Sequence, residues 1–497
     1  MFRLWFREIH SFHSGGTIMN IEHIQPKEVF RWFAEISAVP RGSHNEKAIS
    51  DFLVRFAKER SLEVYQDEAL NVIIKKPGTA GYEKAPTVIL QGHMDMVCEK
   101  TADSNHDFLK DPIKLIVEGD NLHADRTTLG GDDGIAVAYA LAILDSKSLV
   151  HPPLEVLITT TEEVGMDGAR ALKADHLQGR ILFNIDSEEE GVFLVSCAGG
   201  ANTHIDFKIE TEPLKGQALS IKVDGLLGGH SGMEIIKQRA NAIKLLGRIL
   251  SAVKAEQSVH IVSISGGSKH NAIAKEAQAI ITVEDAARAQ TAIAKLAEAI
   301  KAEYRVADKD IRIIAESATA LPKMMYNGTV SSGIIDFMTM VPDGVQYMSM
   351  DIPGLVQTSL NNGILVLDGE TLKFTISVRS SVKSELDEIV QVLQLCAERT
   401  GGIFNKVSEY PAWEYSPQSH ARDVAVKTYK DLTGKEPVVS AVHAGLECGL
   451  IKKTIPDIDA LSFGPNLYDV HTPNEHLSIS SAERMWKFIV KLLENMR

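Results

Sequence analysis

The chain has 497 residues, 44% hydrophobic and 24% charged, with a formal net charge of -14 at pH 7. That composition fills a substantial core, divided over about two or three domains. The acidity, with no long Lys/Arg run to offset it, excludes nucleic acid and anionic membranes as natural partners and leaves small molecules.

Met1 to His10 is basic and aromatic, but its apolar run is broken too often for a secretion signal or a membrane span. Codons for Ser14-Gly15-Gly16 can spell a purine-rich ribosome-binding sequence just upstream of Met19. Residues 1–18 are therefore expected to be a translated leader before a true start at Met19, with a disordered tail as the plainer alternative. Helical spacing predicts helices over 26–35 and 45–58, and β-enriched runs predict short strands over 62–65 and 71–75. A compact apolar strand is expected over 87–91, an Ala-rich helix over 135–144, and buried strands over 154–160 and 181–185. This alternation predicts an α/β fold, doubly wound around a mainly parallel sheet.

From about 200 to 390 the pattern changes. Strands are predicted over 218–223, 259–265 and 279–283 with helices over 236–252 and 286–304. A second round follows, with a helix over 331–341, strands over 355–360, 363–367 and 373–378, and a helix over 384–399. The rounds align loosely, Ser263-Ile-Ser-Gly-Gly against Thr358-Ser-Leu-Asn-Asn and Ala279-Ile-Ile-Thr-Val against Phe374-Thr-Ile-Ser-Val. Residues 200–390 are thus expected to be an inserted lid of two related α+β halves that caps substrate. A helix over 422–432, a strand over 460–463 and a helix over 482–496 return to the first pattern, so the catalytic domain is expected to be discontinuous, 19–199 and 391–497. Cys98, Cys197, Cys396 and Cys448 lie far apart with no Cys-x-x-Cys pair. They suggest neither a disulfide framework nor a thiolate zinc site, and fit a reducing cytoplasm.

Five metal-competent side chains each follow an apolar run: His93, Asp132, Glu163, Asp186 and His471. Two imidazoles and three carboxylates suit a pair of zinc-like ions, and Glu162, beside one of them, supplies the base a hydrolase needs. In a doubly wound sheet the carboxyl-terminal strand ends share one crevice, so distant residues converge there. Asp95, two residues past His93, is placed to hold the second imidazole nitrogen. Asp132, at a Gly-rich helix start, is placed to bridge two cations. Singly, each has a blander role, as loop histidine, helix N-cap or charged strand exit; one metal site accounts for all five together.

Gln91-Gly-His-Met-Asp, Gly130-Gly-Asp-Asp-Gly-Ile-Ala, Thr160-Thr-Glu-Glu-Val-Gly, Asn184-Ile-Asp-Ser-Glu-Glu and His443-Ala-Gly-Leu-Glu-Cys-Gly resemble the M20 metallopeptidases, in their aminoacyl-histidine dipeptidase branch. The resemblance runs from about Met19 to the end of the chain. It implies one Zn2+ on His93, Asp132 and Asp186 and a second on Asp132, Glu163 and His471, with Mn2+ or Co2+ as substitutes. It further implies a cis Asp132-Asp133 peptide, Asp95 orienting His93, Glu162 as general base, and His230 stabilising the transition state. Asn271, Arg379 and Gly445 match residues that hold the C-terminal side of the substrate. Outside that resemblance His230 is a loop histidine and Arg379 a solvated charge.

The implied activity is zinc-dependent hydrolysis of unblocked dipeptides, Xaa-His among them, by a metal-bridging hydroxide, after closure of the lid. The alternative is an amidohydrolase acting on N-acyl or N-carbamoyl amino acids. A non-catalytic zinc- or RNA-binding protein fits poorly with Glu162 and the acidity. A nucleotide enzyme lacks its Gly-rich phosphate motif after a strand. A cytoplasmic homodimer acting on small dipeptides is expected.

Overall fold

Runs of Val, Ile and Leu bounded by turns become strands buried at every position, as a sheet covered on both faces requires. Val88–His93, Leu154–Thr159 and Ile181–Asn184 are of this kind in the computed structural model, which describes residues 21–319 and 321–497. The expected leader over 1–18 lies outside the described residues. Contacts divide the chain into two units. One comprises the chain up to Leu194 with Gln418–Val439 and Thr454–Arg497; the other comprises Val195–Pro417 with Ser440–Lys453.

An eight-stranded sheet runs in the order Glu63–Gln66, Val72–Lys76, Leu154–Thr159, Val88–His93, Ile181–Asn184, Asp459–Ser462, Val192–Cys197, Val438–Val442, and its first six strands lie wholly in the first unit. The strands from Leu154–Thr159 to Asp459–Ser462 run parallel. Antiparallel strands flank them. Past its opening aspartates, Gly131–Asp145 is apolar all round and buried as far as Leu144, as a helix packed on several sides must be. A small sheet of Leu467–Tyr468, His476–Ser478, Asn121–Ala124 and Leu115–Glu118 has strands of two to four residues, too short to leave a periodic trace in the sequence. It delivers the loop that carries His471.

The second unit is a nine-stranded antiparallel sheet with four long helices. Its first half runs Gln217–Asp224, helix Ala242–Lys254, Val259–Gly267, Ala277–Val283, helix Ala286–Glu303, Arg312–Ser317. Its second half runs Gly199–Lys208, helix Gly328–Met340, Val356–Asp368, Thr371–Ser380, helix Lys383–Thr400, Ile403–Tyr410. Both are strand-helix-strand-strand-helix-strand units with the same spatial strand order. They join where Gly266 pairs with Leu365 and Gly267 with Ile364.

The boundaries differ from the expected 200–390. Ile403–Tyr410 pairs with Gly199–Lys208 along its length, so a cut at 390 would remove the fourth strand of the second half. Ser440–Lys453 also groups with this unit. The strands expected over 355–360 and 363–367 are one strand with a register shift between Asn362 and Ile364. Among the described residues, no helix is long and apolar enough to cross a membrane.

A polar network spans the two halves. Asp343 Oδ1 accepts from Asn362 N (3.1 Å), Asn362 Nδ2 (2.8 Å) and Asn241 Nδ2 (3.2 Å). Asn361 Nδ2 donates to the carbonyls of His270 (3.1 Å) and Ala272 (2.9 Å), fixing the backbone on either side of Asn271. Burial pushes the Asp343 carboxyl up to about 6, against the hydrogen bonds from Asn362 and the nearby Lys244. The folded protein thus binds this proton more tightly than the unfolded chain does, and Asp343 subtracts stability as the pH rises from about 4 through 6. Asp343→Asn keeps the Oδ1 acceptor and is expected to stabilise the protein by about 1–2 kcal/mol at pH 7 with little effect at pH 4, as read by urea unfolding at both pH values.

Candidate metal centre

His93 ends its strand opposite Thr159 of a parallel neighbour, and Gln91 of the same strand lies opposite Asn184 of another. Segments leaving these three strands therefore emerge along one edge of the sheet, as the doubly wound topology requires. Thr161, at φ 51°, turns the chain sharply into the short helical turn Glu162–Val164, which displays Glu162 and Glu163. Asp186 follows Ile181–Asn184 by two residues. Asp132 enters from Gly130, whose φ of 66° suits glycine and whose missing Cβ leaves room for Arg41 and Met96. The Asp132-Asp133 peptide is cis.

The five expected ligands come together in two overlapping groups, His93 with Asp132 and Asp186, and Asp132 with Glu163 and His471, the candidate ligand atoms of each lying within 4.8 Å of one another. Asp132 faces both ways: Oδ1 is 3.0 Å from His93 Nε2, and Oδ2 is 3.2 Å from His471 Nε2. His93 Nε2 is 3.6 Å from Asp186 Oδ1, and His471 Nε2 is 2.8 Å from Glu163 Oε2. Glu163 Oε1 is buried without a hydrogen-bond partner. An orphaned carboxylate oxygen beside two imidazoles and two further carboxylates is a donor set that fits divalent cations.

Electrostatics say the same. Burial pushes the Asp186 carboxyl up to about 6, with Asp132 and Glu163 adding to it against His93. Glu188 is pushed up to about 7 by burial and then by Asp132 and Asp186. Hydrogen bonds that His471 donates to Asp132 and Glu163 raise its imidazole to about 11. Burial disfavours the His93 imidazolium, but Asp132, Asp186 and Asp95 outweigh it and hold its pKa well above the usual value. In the absence of a cation, protons on the two histidines balance the crowded carboxylates.

Asp95, expected to orient His93, makes further contacts as well. The His93 Nδ1 lies 3.2 Å from the Asp95 carbonyl and 3.4 Å from its Oδ1, which leaves Nε2 facing the carboxylates. The Asp95 side chain also accepts from the backbone N–H of Glu162 (3.1 Å) and Glu163 (3.4 Å) and from Ser43 Oγ (2.8 Å). Burial works against this carboxylate, yet His93 and Ser43 hold its pKa below the usual range. Buried Glu46 anchors the same turn by accepting the Thr161 N–H (3.1 Å).

In the second unit, His230 Nδ1 accepts from the N–H of Gly232 (3.2 Å) and Met233 (3.1 Å), which leaves its Nε2 as the N–H donor. Burial and then Arg379 lower its pKa, so it is neutral at pH 7. Asn271 accepts the Ser231 N–H through its carbonyl (2.9 Å), and Gly445 follows Ala444, whose carbonyl accepts the Ala198 N–H (3.0 Å). Ser359, Arg379, Gly200 and Tyr410 form an in-register row across four strands. A Cβ at Gly200 would lie 2.6 Å from the Tyr410 ring, and Arg379 Nη1 donates to the Tyr410 hydroxyl (3.0 Å).

Beside its bond to Tyr410, Arg379 has a buried Nε without a partner. His443 lies 2.8 Å from Ser359 Oγ through Nε2, while its buried Nδ1 has no partner. Burial, Arg379 and His230 push His443 down to about 3. A guanidinium among neutral donors is suited to an anion. Sequence reasoning missed Ser359 and Tyr410 in this row, and it met His443 only as the start of a motif, with no role given to it. Strand alternation offered the first, which faces the same side as Arg379; only the fold brings in the others.

The chain matches the model of peptidase family M20/M25/M40 over residues 89–495. Cytosol non-specific dipeptidase of Escherichia coli (strain K12) is 36% identical over 482 residues, 96% of this chain and 99% of that protein. The crystal structure of aminoacylhistidine dipeptidase from Vibrio alginolyticus matches with a TM-score of 0.91 at 34% identity, covering 98% of this chain and 99% of the other. Aminopeptidase PepT from Bacillus cereus ATCC 10987 shares the fold, with a TM-score of 0.54 at 16% identity, covering 95% of this chain and 99% of that one.

The carboxylates they face raise the His93 imidazole well above its usual value and the His471 imidazole to about 11, so both are drawn toward their charged forms, and a metal needs them neutral. Divalent metal binding to chelator-stripped protein at pH 7 is expected to release protons and to weaken as the pH falls. Calorimetry in buffers of different ionisation enthalpy measures the release.

Proposed function

The chain belongs to peptidase family M20/M25/M40, and from that membership together with the clustered ligands we infer that it performs metal-dependent hydrolysis of dipeptides. The observation that carries this reading is Asp132, which meets an imidazole on each of its two oxygens. We assign one ion to His93, Asp132 and Asp186 and the other to Asp132, Glu163 and His471. Zinc suits the mixed imidazole and carboxylate donors, with manganese or cobalt as substitutes. Bound there, such ions supply Lewis acidity and acidify water.

The remaining work falls to side chains. Glu162, on the turn held by Asp95 and Glu46, takes the proton of the attacking water and returns it to the leaving amine. His230, neutral with Nε2–H free to donate, stabilises the oxyanion, and the strength of such a donor comes from being fixed in advance. Arg379, Asn271 and Gly445 hold the terminal carboxylate of the substrate, Arg379 as a planar fork with two N–H donors. Carboxylates around the metal centre favour a free amino terminus. Dipeptides, Xaa-His among them, carry both the free amino group and the free carboxylate that these preferences suit. We place the enzyme in the cytoplasm, the compartment in the name of its Escherichia coli relative. A homodimer pairing through Arg312–Ser317 or Ile403–Tyr410, the strands that end the nine-stranded sheet, is the assembly proposed.

Hydrolysis of Gly-His, Ala-Ala and N-acetyl-alanine by chelator-stripped protein, before and after zinc or manganese is restored, tests the reading. Metal-restored cleavage of the two dipeptides alone is expected; cleavage of only the acylated substrate would make the protein an amidohydrolase. Glu162→Ala is expected to keep its metal and lose turnover by about a hundredfold to ten-thousandfold, whereas Asp132→Ala loses metal, as elemental analysis beside the assay would record. Arg379→Met is expected to raise KM for dipeptides by about tenfold to a hundredfold and to leave the slower cleavage of dipeptide amides unchanged.

A further inference from the structure

Helix Gly131–Asp145 starts without a side-chain cap from its own N-cap residue, Gly130. Its first N–H groups need acceptors all the same, because a buried helix start cannot leave them bare. They find one 344 residues away in Glu475, which is 2% exposed. Glu475 Oε2 accepts from the N–H of Leu129 (2.7 Å) and Gly130 (3.0 Å), and Oε1 from the N–H of Gly131 (2.7 Å) and Asp132 (3.3 Å). Arg41, also 2% exposed, holds the same turn from its carbonyl side. It donates to the Gly130 carbonyl and, on the segment just past His93, to the carbonyls of Met94 (3.0 Å) and Asp95 (3.2 Å). The turn before Asp132 is clasped between a carboxylate and a guanidinium that bond only to main chain.

The two clasps reach different ligands. Arg41 ties the turn to the segment of His93. Glu475 ties it to the loop of His471, four residues upstream. Apart from the pairing of the short strands on either side of it, that loop is held by its own bonds, Thr472 Oγ1 to the Asp469 carbonyl (2.7 Å), Asn474 N to Thr472 Oγ1 (3.1 Å) and Glu475 N to the Thr472 carbonyl (3.1 Å). His471 has φ 62° and a side chain 49% exposed, and its side-chain contacts are Asp132 and Glu163, the groups with which it would share an ion. Without Glu475, the loop loses its bonds to the main chain around Asp132 and keeps only the His471 side chain against that residue, whereas the turn keeps Arg41 and its link to His93.

We propose that Glu475 is a positioning residue that fixes His471 against Asp132, and thereby sets the metal affinity of the Asp132–Glu163–His471 position selectively. The proposal rests on the two-metal reading above. It makes the second position the more easily emptied of the two when this clasp is weakened, and it places the control of that position in a residue that touches neither substrate nor ion.

Titration of chelator-stripped wild type and Glu475→Gln with Zn2+ against a chromophoric competitor tests it. A side-chain amide at this position cannot present two acceptor oxygens to four N–H groups. The wild type is expected to bind two ions. The variant is expected to hold one with nearly unchanged affinity and the other about tenfold to a hundredfold more weakly; excess Zn2+ should then restore turnover with KM unaltered. Equal weakening at both positions, or no weakening, would overturn the proposal and leave the two-metal reading standing. Fewer than two ions on the wild type would overturn both. Hydrogen exchange on the metal-free wild type needs no variant: the amides of residues 129–132 are expected to be protected, and fast exchange there would equally overturn the clasp.

Discussion

Asp132, Glu163 and Asp186 place three carboxylates within reach of one another in a largely buried site, with Glu188 close enough to feel them. Like charges so arranged repel strongly where water is scarce, and they are tolerated only with compensating positive charge. The compensation visible in the protein itself is the pair of imidazoles, each drawn toward its charged form by the acids it faces. Much of the first unit serves to hold this arrangement against its own repulsion. Parallel strands bring His93, the Glu162–Glu163 turn and Asp186 to one edge, Asp95 accepts backbone N–H groups of the acidic turn, and buried Glu46 anchors the residue before it. Rigidity here is a condition for collecting the charges, and the same rigidity is what preorganised catalysis uses.

The parallel core was legible in the sequence because its strands are unbroken apolar runs, and each ligand directly follows such a run or opens a Gly-rich turn. Both features survive without any knowledge of the fold. His471 was legible less directly, as one member of a constellation: its apolar flank is brief, and its small sheet has strands too short to have a period. Arg41 and Glu475 were not legible at all. A buried charge that bonds only to main-chain groups has no partner residue type to betray it, and nothing at position 475 announces that four N–H groups lie 344 residues away.

The second unit was legible as a repeat and misplaced at its margins. Its alternating strands and amphipathic helices recur, and the strands that aligned loosely in the sequence occupy equivalent positions in the two halves. The margin at 390 fell short because Ile403–Tyr410 has an exposed, charged outer face that lacks a buried apolar stripe. Arg379 illustrates a separate limit. In sequence it is a cation at a strand end; only the register across Ser359, Gly200 and Tyr410, with His443 brought in from a later segment, makes it a guanidinium among neutral partners.

The two halves of that unit differ in how their strands are spaced along the chain. The first is contiguous from Gln217 to Ser317, whereas the second takes its opening strand, Gly199–Lys208, from before the first and its other three from after it. On a ribosome, the first half has all its strands once Ser317 has emerged. Gly199–Lys208 must meanwhile wait, with neither of its neighbours made, until Thr371–Ser380 is synthesised and then Ile403–Tyr410. Nascent chains of this protein therefore carry an unpaired β-edge through the translation of more than a hundred and fifty residues, the interval in which such an edge is most open to capture by a chaperone or by another nascent chain.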